Sequence, residues 1–165
     1  RVKALGYELP DKELEHTFQQ FKLLADKKKE IYDQDIEALI QDEKSEVPHI
    51  YELDSLSINC GPVPTASVKL RVGKGKILVD STKGDGPIDA IFKTIDLLTG
   101  IKGILLDYSI RSVTSGKDAL GEASVEVKVK GKNYRGRAVS TDTIEASAKA
   151  YLNAINKVAI KHRRK

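Results

Sequence analysis

The chain has 165 residues, of which 40% are hydrophobic and 32% charged, and its net charge is +4. This composition is typical of one ordinary soluble domain with room for a small appendage. No apolar run approaches the ~20 residues that span a bilayer, and the start of the chain lacks the apolar segment of a signal peptide, so we expect neither a membrane span nor a signal peptide in these residues. The single cysteine, Cys60, cannot form an internal disulfide, so a cytoplasmic location is expected. The chain opens with Arg1 and contains no Met, which indicates a fragment of a longer protein.

Charge divides the chain into two parts. Residues 1–46 hold 8 basic and 12 acidic residues, a net charge of −4, whereas residues 47–165 hold 20 and 12, a net charge of +8. The change falls near Val47-Pro48. We therefore predict a helical linker subdomain over residues 1–46 and a second domain over residues 51–165.

The acidic part predicts two short helices. In the first, apolar residues recur at intervals of four, three and four, at Leu14, Phe18, Phe21 and Ala25. The second is expected to begin with Asp33 as its N-cap and to have an apolar face at Ile36, Leu39 and Ile40. Two helices of this size bury too little surface to fold alone, so this part is expected to be a connector that rests on another domain.

The basic part contains one unit written twice, over residues 51–100 and 104–160. Ala66-Ser67-Val68-Lys69-Leu70-Arg71-Val72 matches Ala123-Ser124-Val125-Glu126-Val127-Lys128-Val129 at an offset of 57, and both alternate in polarity as half-buried strands do. Leu53-Asp54 through Ile58 likewise matches Leu106-Asp107 through Ile110. Glycine turns at residues 73–75 and 130–132 lead into third strands, so each unit is a three-stranded meander.

A helix follows each meander. The first opens at Pro87, after Gly84-Asp85-Gly86, and stops at Gly100. The second follows Ser140-Thr141-Asp142, with Glu145 in capping-box spacing after Asp142. The predicted fold is α+β: a pseudo-symmetric (βββα)2 domain preceded by a small two-helix linker subdomain. A sheet or helix face left exposed on this domain would also permit dimerisation.

The residue pattern does not indicate a catalytic or metal site. The histidines, His16, His49 and His162, lie on a helix face, in a linker and in the basic tail, and none has a partner at metal-ligand or triad spacing. Ser140-Thr141-Asp142 has no base at hand and is typical of a helix N-terminus. We therefore predict binding, with no catalytic and no metal-ligating residues in this chain.

The two corners between strand and helix are the candidate binding site. At Gly84-Asp85-Gly86-Pro87, the N-H groups and dipole of a helix N-terminus attract an anion, and glycine lets a ligand approach closely. A tight turn without a ligand is the alternative for this corner. Pseudo-symmetry brings the second corner into the same layer, where Asp85 or Asp142 offers a charge for an ammonium group. With apolar contacts from Leu105 and Tyr108, such a pocket suits an amino-acid zwitterion.

A nucleic-acid surface is the alternative of another class. Basic residues gather in the second unit and the tail, at Lys128, Lys130, Lys132, Arg135, Arg137 and residues 161–165. Aromatic residues make up only 5% of the chain, and no strand carries paired exposed aromatics on which bases could stack. The alternation of these lysines with apolar residues is typical of a solvated sheet face, which argues against nucleic acid.

Three motifs carry a resemblance to a known family. They are Gly84-Asp85-Gly86-Pro87-Ile88-Asp89-Ala90, Gly116-Lys117-Asp118-Ala119-Leu120-Gly121, and the run from Gly136-Arg137-Ala138 through Ser140-Thr141-Asp142 to Ala150-Tyr151. With Leu5-Gly6-Tyr7 and Asp35-Ile36-Glu37-Ala38-Leu39 in the linker, essentially the whole chain resembles the C-terminal regulatory domain of 2-isopropylmalate synthase and of its close relative citramalate synthase.

The resemblance implies a parent enzyme that is an acyltransferase. It would condense acetyl-CoA with 2-oxoisovalerate in a TIM barrel that needs a divalent metal, the first step of leucine biosynthesis. The barrel is not among these residues, so this chain is expected to hold no cofactor and to be inactive alone. The resemblance implies that it binds leucine near a homodimer interface for allosteric feedback inhibition, and that the helices of residues 11–43 relay the binding to the barrel.

The resemblance also implies the effector residues. In the family, contacts come from the Gly-rich corner, the first strand of the second unit, the loop after it and the second helix corner. These correspond to Gly84, Asp85, Gly86, Ala90, Leu105, Tyr108, Ser112, Ala119, Gly121 and Asp142, with Asp85 standing where many relatives have Asn. Moving one methyl group changes affinity by only ~1–3 kcal/mol, so isoleucine, as the effector of a citramalate synthase, stays open as the alternative.

Overall fold

The computed structural model describes residues 1–44, 49–114 and 119–163. A 3-10 helix (Lys3–Leu5) precedes α1 (Asp11–Lys27) and α2 (Asp33–Lys44), and the two repeats follow. Their elements are β1 (Tyr51–Asn59), β2 (Thr65–Val72), β3 (Lys76–Lys83), α3 (Pro87–Thr99), β4 (Ile104–Ser112), β5 (Gly121–Val129), β6 (Lys132–Ser140) and α4 (Thr143–Arg163). The predicted α+β fold, (βββα)2 behind two helices, is confirmed. The Val47-Pro48 boundary, Gly116-Lys117-Asp118 and Arg164-Lys165 lie outside the described residues.

Each repeat forms its own antiparallel sheet, in the order β1-β2-β3 and β4-β5-β6. The turns between second and third strands lie where the glycines predicted them. Gly73 and Gly75 have φ angles of 58° and 119°, and Lys130 and Gly131 have φ angles of 50° and 80°. Positive φ angles at two successive residues, as at Lys130 and Gly131, are typical of the tight two-residue turns whose twist matches that of a hairpin, whereas residues 73–75 form a longer turn between β2 and β3.

A bulge interrupts the first strand of each repeat at the same place. The pairing with the middle strand shifts between Leu53 and Ser55 in β1, and between Leu105 and Asp107 in β4. Leu53 therefore corresponds to Leu105, and the sequence match that began at Leu106 is one residue out of register there. The other end of the match is confirmed, because Ile58 pairs with Ala66 as Ile110 pairs with Ala123.

The core lies between the helices and the inner faces of the two sheets. Alternate residues of the middle strands are buried, namely Ala66, Val68 and Leu70 in β2 and Ala123, Val125 and Val127 in β5. Helix α3 packs on β2 and β3, and α4 packs on β5 and β6. A Cβ at Gly136 of β6 would lie 2.6 Å from the backbone nitrogen of Ala154, so glycine there lets α4 approach closely. One apolar cluster spans both repeats.

Contacts from α4 join the second repeat to the first. The buried Asn156 side chain accepts a hydrogen bond from the Tyr51 backbone N-H and donates one to the Tyr51 carbonyl oxygen, both at 2.9 Å. The Tyr151 hydroxyl donates to the Asp96 carboxylate of α3 at 2.6 Å. The Phe92 ring of α3 stacks on Tyr151 with ring centroids 4.1 Å apart. Both polar and aromatic contacts thus cross the boundary between the repeats.

Helix α1 buries a different face from the predicted one. Thr17 and Leu24 are its buried residues, whereas Leu14 and Phe18 of the predicted stripe are 40% and 51% exposed. Residues seven apart lie on one face of a helix, and the face through Thr17 and Leu24 is the one turned toward the rest of the chain. Leu24 packs in a small cluster with Ala38 of α2 and Leu120 of the second repeat.

A buried ion pair fixes α1 against α2. Lys28 Nζ lies 2.9 Å from both carboxylate oxygens of Asp35, and the two side chains are 2% and 0% exposed. Asp35 also accepts a hydrogen bond from the Tyr32 N-H, so it satisfies a backbone donor at the start of α2. The predicted N-cap, Asp33, instead pairs with Arg1 at 2.8 Å. In the described ranges, no helix is long and apolar enough to cross a membrane.

Candidate functional site

The second sheet brings three of the predicted effector positions to one end. Ser112 at the end of β4 pairs with Gly121 at the start of β5, which pairs with Ser140 at the end of β6. Asp142 follows two residues later and α4 begins at Thr143. A Cβ at Gly121 would lie 2.9 Å from Thr143 Cγ2, so glycine lets the corner close over β5. Ser112, Gly121 and Asp142 are therefore neighbours, with the half-buried Ala119 two residues before Gly121.

Asp142 caps α4. Its Oδ1 accepts hydrogen bonds from the N-H groups of Ile144 at 2.9 Å and Glu145 at 3.4 Å. This is the predicted bond of a capping box, but the Glu145 carboxylate accepts from the Ser140 hydroxyl at 3.3 Å rather than from the N-cap backbone. Within the described residues the second Asp142 oxygen makes no hydrogen bond, so it can receive another donor.

The carboxylate of Glu145 lies beside this corner and is paired with two lysines. Burial opposes its ionisation, but the hydrogen bond and charge of Lys149 and the charge of Lys27 hold the pKa of Glu145 below its usual range. Lys149 Nζ lies 2.8 Å from Glu145 Oε1, and Lys27 Nζ of α1 lies 3.7 Å from Oε2. The second corner is thus tied electrostatically to the linker helices.

The first corner has a different structure. Gly86 is the N-cap of α3, and no side chain among the described residues caps this helix. The Asp85 backbone N-H donates to Asp89 Oδ2 at 2.9 Å. A hydrogen bond from Lys93 and, less strongly, this bond from the Asp85 N-H lower the pKa of Asp89. The N-terminus of α3 therefore lacks the side-chain cap that Asp142 provides for α4.

The two glycines of the first corner have different reasons to be glycine. A Cβ at Gly84 would lie 2.7 Å from the Ala90 Cα, so the packing of the corner on α3 requires Gly84. A Cβ at Gly86 would meet nothing within 4 Å, and its φ of −157° is available to any residue. Ala90 itself is fully buried, whereas Asp85 is exposed. Of the two glycines, Gly86 is the one that has room for a ligand beside it.

Tyr108 connects the two helices at the site. Its hydroxyl lies 2.6 Å from Ser147 Oγ of α4, and its ring meets the Phe92 ring of α3 edge-on with centroids 6.0 Å apart. Leu105, on the same strand, is 43% exposed. Ser147 is not among the residues predicted from the sequence, although its position as a lone serine within the apolar stripe of α4 is a signal that could have revealed it. The structure therefore places Tyr108 where both helices meet it.

The structure also bears on the other candidate chemistries. In residues 1–44, 49–114 and 119–163, no three His, Cys, Asp or Glu side chains come together as a metal site. Cys60 is an exposed free cysteine.

The basic face of the second sheet is partly neutralised. Arg137 lies 3.2 Å from Glu122, Arg111 lies 3.1 Å from the same carboxylate, and Arg135 lies 3.7 Å from Glu126. An open pocket of about 350 Å³ lies here, with Arg135, Arg137, Glu126 and Asp107 among its lining residues, and it contains none of the predicted effector residues. Arginines that are already paired with carboxylates are poorly placed to neutralise phosphates, which weakens the nucleic-acid alternative.

Comparison with known proteins identifies the family. The family described as "LeuA allosteric (dimerisation) domain" matches residues 30–159. The chain belongs to this family. Its relatives include proteins named 2-isopropylmalate synthase from Carboxydothermus hydrogenoformans, 51% identical over 168 residues, and Pelotomaculum thermopropionicum, 49% identical over 161 residues. A third, from Crocosphaera subtropica, is 42% identical over 160 residues. The resemblance found in the sequence is confirmed.

The relatives are much longer than this chain. The match to the Carboxydothermus protein covers 100% of the chain but 33% of the relative, and the match to the Pelotomaculum protein covers 96% and 32%. The match to the Crocosphaera protein covers 96% and 30%. The chain thus spans about a third of the length of the relatives it matches.

Proposed function

We propose that this chain is the effector-binding and dimer-forming unit of a 2-isopropylmalate synthase, and that leucine bound here inhibits the enzyme. The proposal rests on the contacts of Tyr108 with both α3 and α4. It rests also on the membership of the chain in the allosteric domain family. The parent enzyme would condense acetyl-CoA with 2-oxoisovalerate in the cytoplasm. Its divalent metal and acetyl-CoA would bind in the remainder of the longer protein, so this chain alone binds the effector without catalysis.

The two corners offer complementary groups for an amino acid. The uncapped N-terminus of α3 at Gly86 offers N-H donors and a positive dipole end for the effector carboxylate. The uncommitted oxygen of Asp142 offers an acceptor for the ammonium group. Tyr108 and the half-exposed Leu105 offer apolar surface to a branched side chain. The effector is therefore proposed to lie between the corners, over β4.

A second copy of the chain is the proposed partner at β4. This edge strand carries Ile104, Leu105, Leu106 and Ile110, which are 43–64% exposed. Clustered exposed apolar side chains on an edge strand favour association, and the family is described as a dimerisation domain. Sedimentation velocity is expected to find a dimer; a monomer at tens of micromolar would contradict this part of the proposal.

Calorimetry with leucine, isoleucine and valine tests effector binding. Leucine is expected to bind most tightly and, at a hundred times its dissociation constant, to stabilise the native chain by ~2.7 kcal/mol. Tighter binding of isoleucine would favour the citramalate synthase alternative. Absence of both heat and a melting shift with all three amino acids would reject the effector role.

The substitution Gly86→Val tests the location of the site. Because a Cβ at Gly86 meets nothing within 4 Å, the variant is expected to fold normally while its side chain blocks the approach of the carboxylate to α3. Leucine affinity should fall by at least about tenfold, the effect of losing ~1.4 kcal/mol. Ser57→Val, on an exposed position of β1, is the matched control and should bind as the native chain does. Equal affinity in both variants would place the site elsewhere.

A further inference from the structure

Leu120 connects the predicted effector site to the linker helices. It lies between Ala119 and Gly121, two of the predicted effector residues, yet its own side chain is 98% buried. The residues that bury it include Leu24 of α1 and Ala38 of α2. A side chain of the second repeat is therefore inserted into the contact between the two linker helices.

The backbone around Leu120 is held by short hydrogen bonds. The Val113 N-H donates to the Leu120 carbonyl oxygen at 2.8 Å, and the Leu120 N-H donates to Thr114 Oγ1 at 2.9 Å. Thr114 is itself buried. Leu120 is thus fixed to the end of β4 and to the start of β5, where Ser112 pairs with Gly121. A ligand that contacts Gly121 or Ser112 would restrict the position of Leu120.

The linker also contacts the helix side of the same corner. Lys27 of α1 forms the ion pair with Glu145, which accepts a hydrogen bond from Ser140. The buried pair of Lys28 with Asp35 then fastens α1 to α2. The corner thus contacts α1 and α2 at two places, through Leu120 and through Glu145. A change in the packing of the corner is therefore expected to change the packing of these helices.

We propose that Leu120 is a positioning residue through which effector binding is transmitted to α1 and α2. The inference rests on the proposed effector site. Binding at the corner restrains Leu120, and Leu120 in turn restrains the packing of Leu24 and Ala38. Effector binding therefore suppresses local opening of the linker helices.

Amide hydrogen exchange of the full 165-residue chain, with and without saturating leucine, tests this transmission. Leucine is expected to slow exchange in residues 11–40 by about fivefold or more, the lower end of typical coupling between sites. In Leu120→Ala, leucine should still bind, because the side chain points into the linker contact, but the slowing in residues 11–40 should disappear. If Leu120→Ala does not fold, Leu24→Ala removes the same contact from the linker side.

Leu23→Ala is the matched control. Leu23 is the neighbour of Leu24 on α1 but is 56% exposed, so its removal should leave the leucine-dependent slowing intact. Leucine binding to the native chain without any change in residues 11–40 would overturn the transmission while leaving the effector site standing. Retention of the slowing in Leu120→Ala or Leu24→Ala would overturn it equally. A native chain that binds no amino acid would overturn both proposals.

Discussion

The substitution Asn156→Leu should weaken the junction between the two repeats. Asn156 is fully buried on α4, and its side-chain carbonyl oxygen and NH2 group both bond the backbone of Tyr51 at the edge of the first sheet. Leucine has the same branching and the same number of side-chain heavy atoms, but it can neither accept from the Tyr51 N-H nor donate to the Tyr51 carbonyl. The variant therefore removes polar partners without opening a large cavity.

The size of the effect follows from the two groups left unpaired. A buried backbone donor or acceptor without a partner costs ~1–3 kcal/mol, so the loss of both predicts a fall of ~2–6 kcal/mol in the free energy of unfolding. For a domain of this size each kcal/mol corresponds to a shift of roughly 2–4 °C, so the melting temperature should fall by roughly 4–24 °C.

Thermal unfolding followed by circular dichroism measures this fall. Asn153→Leu, one turn earlier on α4, is the control, because the Asn153 side chain is only half-buried and donates a single hydrogen bond to the Arg137 carbonyl oxygen at 2.8 Å. We expect the control to lose ~1 kcal/mol. Equal destabilisation by the two substitutions would refute the argument that the paired bonds to Tyr51 join the repeats.

Two further substitutions test the corner and the contact between the helices. Gly84→Ala should lower the free energy of unfolding by ~1–3 kcal/mol in urea titration, because its Cβ would overlap the Ala90 backbone, and a stability equal to that of the native chain would contradict this packing. Burial raises the pKa of Asp96 to about 6, against hydrogen bonds from Tyr151 and the Gly103 N-H and the charge of Lys102. Folding therefore favours the protonated carboxyl, so this group stabilises the native chain below its unfolded pKa and the contribution is lost as pH rises through about 6. Discounted for the partial exposure of Asp96, the loss in the free energy of unfolding is ~1–2 kcal/mol. Urea titrations near pH 5 and pH 7.5 should show this loss in the native chain and not in Asp96→Asn. Identical pH dependence in the two proteins would contradict the prediction.

The elements of the fold could be predicted because each has a local cause. Strand alternation, glycine turns and the Pro87 and Gly100 boundaries of α3 act within a few residues, and the structure reproduces them. The buried face of α1 could not be chosen in this way. Two stripes of the helix carry apolar residues, and the partner that decides between them, Leu120, lies almost a hundred residues away.

The candidate site was predictable only in part for a related reason. Repetition indicated that two corners exist, and the pairing of Ser112 with Gly121 follows from the hairpin. Sequence could not separate Gly84, which packing requires, from Gly86, which packing leaves open. That distinction depends on how closely a corner lies against its own helix. The bond from Tyr108 to Ser147 likewise depends on helix placement.

The two repeats have diverged so that each supplies what the other lacks. Asp96 is the tenth residue of α3 and Tyr151 the ninth of α4, and the corresponding residues of the opposite helices are Leu152 and Ile95. A pair of identical first repeats would place Asp96 opposite an isoleucine, which leaves a half-buried carboxyl without its hydroxyl donor. Asn156 lies in the part of α4 that extends past the length of α3, so its bonds to Tyr51 have no counterpart. The repeats are therefore complementary rather than interchangeable, and this difference extends to their corners, because the α3 N-terminus has no side-chain cap whereas Asp142 caps α4. An effector with a carboxylate at one end and an ammonium group at the other would have a single preferred orientation between them.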